Sequence, residues 1–365
     1  MRLTDLAASL PASVPFTGPE TLERRAGRPF AARLGANESG FGPSPRAIAA
    51  MEDAARDAWM YGDPEYHDLR HALAIHHGVP FDSIVAGEGI DGLLGYLVRL
   101  LVAPGDPVVT SAGAYPTFGY HVTGFGGVLH PVSYRGDHED PDALLAKARE
   151  TGARLIYLAN PDNPMGSHHD AATVTAMIEA LPEDAVLCLD EAYADLAPAD
   201  ALPRLDPSDP RVIRMRTFSK AHGLAGLRVG YAIGHPDLIA AFDRVRNHFG
   251  LNRMGQAAAL ASLADEDWMT HVRERVAESR QTIAAIARDA GLRPLPSATN
   301  FVAVDCGRDG AHARRVLEGL AQEGVFVRMP GVAPLDRCIR ISCGPVSDME
   351  ILRGALPKAI AFAGT

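Results

Sequence analysis

The chain has 365 residues, 47% of them hydrophobic and 22% charged, with a net charge of −10. This is the composition of a globular protein with apolar surface for about two cores, and the acidic balance works against nucleic acid or an anionic membrane as a partner. The four cysteines, Cys188, Cys306, Cys338 and Cys343, show no CxxC or zinc spacing, and no apolar run approaches the roughly 18 residues of a membrane span. With no basic segment followed by a long apolar one in MRLTDLAASLPASVPF, buried free thiols and a cytoplasmic location are expected.

Residues 1–33, rich in Pro, Gly and Ala, are expected to form an arm. Short β-like runs then alternate with helix-like stretches. SIVAG (83–87) leads into the helical IDGLLGYLVRLLV, and PVVTSA (107–112), GVLHPVSY (127–134), RLIYLAN (154–160), AVLCLDEAY (185–193), VIRMRTFS (212–219) and RVGYAIG (228–234) follow. Several are nearly continuous apolar runs, as strands covered on both faces by helices require. Repeated strand–helix alternation points to an α/β domain with a mostly parallel sheet, expected over 34–248. A long helical stretch follows over about 255–290, then NFVAVDC (300–306), another helix, VFVRMP (325–330) and CIRISCG (338–344). These suggest a smaller α+β domain over 249–365.

In open α/β sheets ligands gather beyond the carboxyl ends of the strands, so the polar residues there are the ones to inspect. In TFSKAHGLAGLRVG (217–230), Lys220 follows a strand in company with Thr217, Ser219 and Arg228. Its amine suits an imine with a carbonyl, and the hydroxyls and guanidinium suit a phosphate; the bland alternative is an exposed loop lysine. Asp190 ends the run CLDEAY, and a carboxylate there serves as a helix cap, a metal ligand or the partner of a cationic ring nitrogen. NPDNPMG (160–166) has the composition of a turn, with the Asn163 amide free to bond a phenolic oxygen.

The order N-P-x-N-P-x-G, D-E-A-Y, then S-K-x-x-x-L-A-G-L-R resembles the class I/II aminotransferases of pyridoxal-phosphate (PLP) fold type I, and within them the histidinol-phosphate aminotransferase-like branch. LGANESGFGP (34–43), YGDPEYHDLRHALA (61–74), AYPTFGYH (114–121), SATNFVAV (297–304) and IRISCG (339–344) extend the likeness over nearly the whole chain. The resemblance implies a seven-stranded, mostly parallel large domain, PLP as cofactor, and ping-pong transfer of an amino group from an amino acid or amine to a 2-oxo acid. Lys220 would be the Schiff-base residue and proton shuttle. Asp190 would pair with the ring nitrogen, Asn163 and Tyr193 with the ring oxygen, and Tyr115 (or Phe118) would stack on the ring. Ser219, Arg228, Thr217 and the backbone at Glu88 and Gly89 would hold the phosphate, with Tyr61 of a neighbouring subunit closing the cup of a homodimer. Arg340 would clamp the substrate carboxylate with Asn37 nearby, and Arg328 would lie near a distal phosphate. Two departures stand out: Met165 where the family has Thr, and G-E-G-I (87–90) where relatives have G-[AS]-[DN]-E, which leaves Gly89 without a side-chain phosphate contact.

G-E-G-I-D-G (87–92) also fits the dinucleotide fingerprint of a nicotinamide-linked oxidoreductase. That reading lacks the acid expected at the end of the next strand, in PVVTSAGAY. A PLP-binding DNA regulator would need a domain that the leading residues do not supply. A lyase or decarboxylase on the same fold stays open, because the reaction depends on which bond at Cα stands perpendicular to the ring. His67 and His71 have helical i, i+4 spacing but no third ligand, so no metal is expected.

Overall fold

The computed structural model describes residues 2–12 and 16–364, so part of the expected arm lies outside the described residues. Seven strands form the main sheet: β1 (Ile84–Gly87), β2 (Pro107–Ser111), β3 (Val128–Val132), β4 (Leu155–Ala159), β5 (Val186–Asp190), β6 (Val212–Thr217) and β7 (Gly230–Gly234). Their order is β1-β7-β6-β5-β4-β2-β3, and only β7 runs against its neighbours. The expected α/β architecture is present, and the register sets Ala159 beside Asp190, Asp190 beside Met215 and Thr217 beside Gly230.

The apolar runs are explained by burial on both faces. In β4, Leu155 and Tyr157 join a core with Leu93, Phe118 and Met215, while Ile156 and Leu158 join another with Leu144 and Leu187. Side chains two apart share a face, so one strand serves two cores. Each fully buried Leu or Ile contributes about 1.5–3 kcal/mol, which fixes the strand ends where the site is built.

The second unit packs Val272, Val276, Ile283, Val302, Ile341 and Leu352 into a core of its own, which Leu196 and Ala221 of the large unit join. Its antiparallel strands Phe301–Asp305 and Cys338–Ser342 are flanked by the helices Glu266–Asp289, Gly310–Gln322 and Val346–Gly364. The long helical stretch is two helices, Arg253–Leu263 and Glu266–Asp289, divided where Asp265 caps the second by accepting from the Trp268 amide at 3.4 Å. Ala258 and Ala259 of the first helix pack with Tyr66, Phe218 and Tyr231 of the large unit. The expected break after residue 248 therefore precedes a helix that packs on the large unit. Ala32 and Leu34, by contrast, sit in the second unit's core, with Ala32–Arg33 paired to Val325–Phe326. Among the described residues no helix is long and apolar enough to cross a membrane.

Candidate active site

The carboxyl ends of β2, β4, β5 and β6 meet the turn into β7 at one end of the sheet. A cavity of about 210 Å³ lies there, with Asn163, Asp190, Tyr193, Lys220, Tyr115 and Arg228 in its wall. It adjoins a second cavity of about 390 Å³, whose wall adds Asn37, Arg328, Arg340 and Phe16. Residues far apart in the chain are thus brought together by the strand ends.

Asp190 closes β5 at the bottom of the first cavity, only 4% exposed. Its Oδ2 accepts from the Tyr157 hydroxyl at 2.6 Å and its Oδ1 from the Ala192 amide at 2.9 Å. It forms no ion pair with any described residue. Burial pushes its carboxyl up to about 6, with the Tyr157 and Ala192 bonds pulling the other way. A buried carboxylate without a cation is costly, and a cationic group bound in the cavity would relieve that cost.

Lys220 reaches the same cavity from the turn after β6, its Nζ 5.8 Å from the centre of the Tyr193 ring. Burial, then the Arg340 guanidinium, pushes the amine down to about 8, with Arg228 adding to the shift and Asp91 opposing it. An appreciable fraction is therefore free base near neutral pH, the form a nucleophile needs. The Tyr193 hydroxyl accepts from Asn37 Nδ2 at 2.9 Å, and burial pushes the phenol up to about 12.

An anion corner lies opposite. Arg228, held at φ 56°, points Nη1 at Ser219 Oγ (3.3 Å) and Nη2 at Asp91 (3.4 Å). Thr217 Oγ1 accepts from the Ser219 amide at 3.0 Å, which shapes the turn. The helix Gly89–Leu101 starts here without a side-chain cap, so its first-turn amides remain available to an anion. Gly89 has φ 72°, and a Cβ there would collide with the Arg228 guanidinium. The glycine thus serves both the turn and the close approach of the guanidinium.

Arg340 lies in the wall of the second cavity. Its Nη1 donates to Asn163 Oδ1 and its Nη2 to the Gly35 carbonyl at 3.3 Å, while its buried Nε has no partner. Arg328 is paired to Arg340 through the backbone and donates from Nη2 to the Thr17 carbonyl at 3.0 Å. The rings of Phe16 and Phe326 lie 5.5 and 5.7 Å from its guanidinium carbon.

Most of the expected residues converge, and the differences are local. Tyr115 lines both cavities and donates to Asp91 at 2.9 Å, whereas Phe118 is buried in the core, stacked on Tyr157. At the anion corner the cavity wall comes from Ile90 and Asp91, while Glu88 turns its carboxylate to the Tyr96 hydroxyl at 3.1 Å. Tyr61 lies outside both cavities, 77% exposed against Phe249. Asn37 lines the second cavity with Arg340, as expected, and its side chain bonds Tyr193 and Ser342. Asp91, Tyr157 and Phe16 were not anticipated. Asp91 had a signal, a second acid in the first turn after the glycines. Among the described residues no cluster of three or more His, Cys, Asp or Glu is arranged to hold a metal.

An unpaired buried carboxylate, a near-neutral lysine and an uncapped helix beside an arginine together fit a flat cationic ring that carries a phosphate. Fold and wall define an enzyme that transfers amino groups. The chain belongs to the class I and II aminotransferases, whose family model matches residues 32–356. It is 35% identical to histidinol-phosphate aminotransferase 1 of Mesorhizobium japonicum, with 98% of each chain covered. It is 36% identical to an aromatic amino acid aminotransferase of Mycobacterium avium, over 88% of this chain and 94% of the relative. Among solved structures, the histidinol-phosphate aminotransferase of Sinorhizobium meliloti in complex with pyridoxal-5'-phosphate matches with TM-score 0.95 and 56% identity, over 99% of this chain and 98% of that one.

Proposed function

We propose that this chain is a PLP-dependent aminotransferase that takes the amino group of histidinol phosphate and gives it to a 2-oxo acid. The observation that carries the reading is the placement of a lysine pushed down to about 8 in one cavity with the unpaired buried carboxylate of Asp190. Bound PLP supplies a carbonyl that captures an amine and a cationic ring that draws electrons from Cα.

The chain's own residues do the rest. Lys220 would hold the cofactor through Nζ and, as a free amine, would move the proton at Cα. Asp190 keeps the ring nitrogen charged, and Asn163 and Tyr193 meet the ring oxygen. Ser219, Arg228 and the first-turn amides hold the phosphate, in a turn that Thr217 shapes, while Tyr115 covers the ring face. Arg340 receives a carboxylate in the planar fork that guanidinium geometry favours. Arg328 meets the distal phosphate of the amine. The relatives named for histidinol phosphate support that donor; the rings flanking Arg328 favour an aromatic amino acid as the second reading.

The enzyme acts as a cytoplasmic homodimer. Trp59 (81% exposed), Tyr61 (77%) and Phe249 (50%) offer an aromatic surface for a second copy, from which Tyr61 would reach the partner's phosphate corner. All four cysteines are free and buried, as a reducing compartment allows.

The test is a donor screen that follows formation of pyridoxamine phosphate, with histidinol phosphate beside Phe, Tyr and Trp. Histidinol phosphate should react fastest, and Lys220→Ala should lose roughly 10²–10⁴-fold in turnover, the range of general acid–base catalysis. Preference for an aromatic amino acid would replace the substrate, and full turnover of Lys220→Ala would remove the mechanism.

A further inference from the structure

Asn37 is buried, 2% exposed, at φ 56°, a left-handed conformation that Asn and Asp tolerate better than most residues. Its backbone amide donates to Ser342 Oγ at 3.0 Å, and Ser342 Oγ lies 3.1 Å from Asn37 Oδ1. Its Nδ2 donates to the Tyr193 hydroxyl at 2.9 Å, and its carbonyl accepts from Asn300 Nδ2 at 2.9 Å. Both ends of the side-chain amide are engaged by the protein.

The chemistry of these groups gives the network a direction. A backbone N–H can only donate, so Ser342 Oγ accepts there and places its single proton on Asn37 Oδ1. That bond sets which end of the amide faces which neighbour. The nitrogen end then faces Tyr193, and because an amide nitrogen only donates, the phenol oxygen accepts. Tyr193 keeps its own proton, and no described residue accepts it. The hydroxyl is on a residue only 3% exposed, in the cavity wall with Lys220 and Asp190.

We infer that Ser342 and Asn37 form a one-way relay that fixes the direction of the Tyr193 hydroxyl proton, aiming it into the cavity at the ring oxygen of the cofactor. Asn37 is then a positioning residue that acts through Tyr193, and not a ligand of the substrate. The inference rests on the PLP reading of the cavity. The charged groups around Tyr193 are Arg340, Asp190 and Asp162, with the Lys220 amine over its ring. None of them forms a hydrogen bond with the hydroxyl, so the relay alone orients it.

The experiment titrates the visible absorbance of the bound cofactor against pH in the holoenzyme, together with the rate at which the cofactor dissociates. A donated bond to the ring oxygen holds the titration midpoint down, so Tyr193→Phe raises it. Asn37→Asp keeps the backbone conformation but presents an acceptor, which turns the Tyr193 proton away from the ring. It should raise the midpoint by about one unit, a tenfold change in the equilibrium. Ser342→Ala, which changes no charge, should raise it by about half as much as the amide loses its fixed orientation, and Ser342→Thr should restore it. Combined with Tyr193→Phe, Asn37→Asp should add little further shift.

The relay is overturned if Asn37→Asp and Ser342→Ala leave the midpoint in place while Tyr193→Phe moves it. It is equally overturned if the Asn37→Asp shift persists in full beside Tyr193→Phe, since charge alone would then account for it. Absence of a visible band in the unaltered protein with PLP is a different result: it sinks the cofactor reading and the relay with it.

Discussion

Asp190 and Glu191 are adjacent buried carboxylates whose surroundings treat them in opposite ways. Glu191 accepts from Arg214 Nη2 and from Arg216 Nε, the latter at 2.9 Å, and both arginines are themselves buried on β6. Burial alone would raise its carboxyl, but Arg216 and Arg214 hold it below the usual range. Asp190 receives a phenol and a backbone amide but no cation, and burial pushes it up to about 6. Strand alternation sends the two to different faces. The protein neutralises the charge of Glu191 from within the fold; it leaves Asp190 unneutralised in the cavity wall, where the proposed ring nitrogen would meet it.

The largest effect expected is on Asp190→Asn, which removes the cation's partner but keeps the shape. Breaking a buried pair in this way costs about 3–5 kcal/mol. The kcat/KM should fall by roughly two to four orders of magnitude, with the thermal midpoint of the cofactor-free protein unchanged or higher. A fall in turnover below tenfold would erase the contrast. Glu191→Gln should do the reverse. It leaves two buried guanidiniums short of charge and lowers stability by about 3–5 kcal/mol, read by denaturant unfolding, while protein that remains folded keeps its cofactor absorbance. Loss of that absorbance in folded protein would show that Glu191 serves the site as well.

A smaller effect appears with pH. In cofactor-free protein the Asp190 carboxyl titrates near 6, above the ~3.9 of an unfolded chain. The folded state therefore binds the proton more tightly, and the penalty present above pH 6 is relieved as pH falls toward 4. Glu191 is lowered, so its contribution is present above the unfolded value and lost only as pH falls beneath it. Between pH 7 and pH 5 the unaltered protein should gain about 1 kcal/mol relative to Asp190→Asn. The difference between the two proteins isolates this group from Asp162, which burial also raises, to about 7. An identical pH response in both would refute the assignment. Intermediate in size is Tyr157→Phe, which removes one bond to a charged group, worth about 1.5–3 kcal/mol. It should weaken cofactor binding and raise the Asp190 midpoint further.

The residues at strand ends were legible because an apolar run that stops at a polar residue marks both the strand and its exit. Lys220, Asp190, Asn163 and Arg228 were found in that way and through the order of their motifs. Tyr157 was hidden because a tyrosine inside an apolar strand looks like core, and only the β4–β5 register places its hydroxyl on Asp190. The side chain of Glu88 was equally hidden: the sequence places the residue at the helix start, where its backbone is the expected contact, but cannot show its carboxylate turning to Tyr96. The break between the helices at Asp265 was missed because Ala-rich sequence carries the helical pattern through it. The role of Asn37 depends on Ser342, some three hundred residues away, and no local pattern reports such a pair.

The segment that carries Asn37 is anchored by Ala32 and Leu34 in the core of the second unit, and Ser342 and Asn300 grip it from that same unit. Tyr193, on the large unit, is therefore reached across the boundary by a single bond of 2.9 Å. Phe301 of the second unit also meets the Tyr193 ring, 5.5 Å between centroids, and Leu196 and Ala221, close in sequence to Tyr193 and Lys220, pack into the second unit's core. On the proposed relay, the proton at the reacting centre is therefore steered by side chains gripped from the other half of the chain.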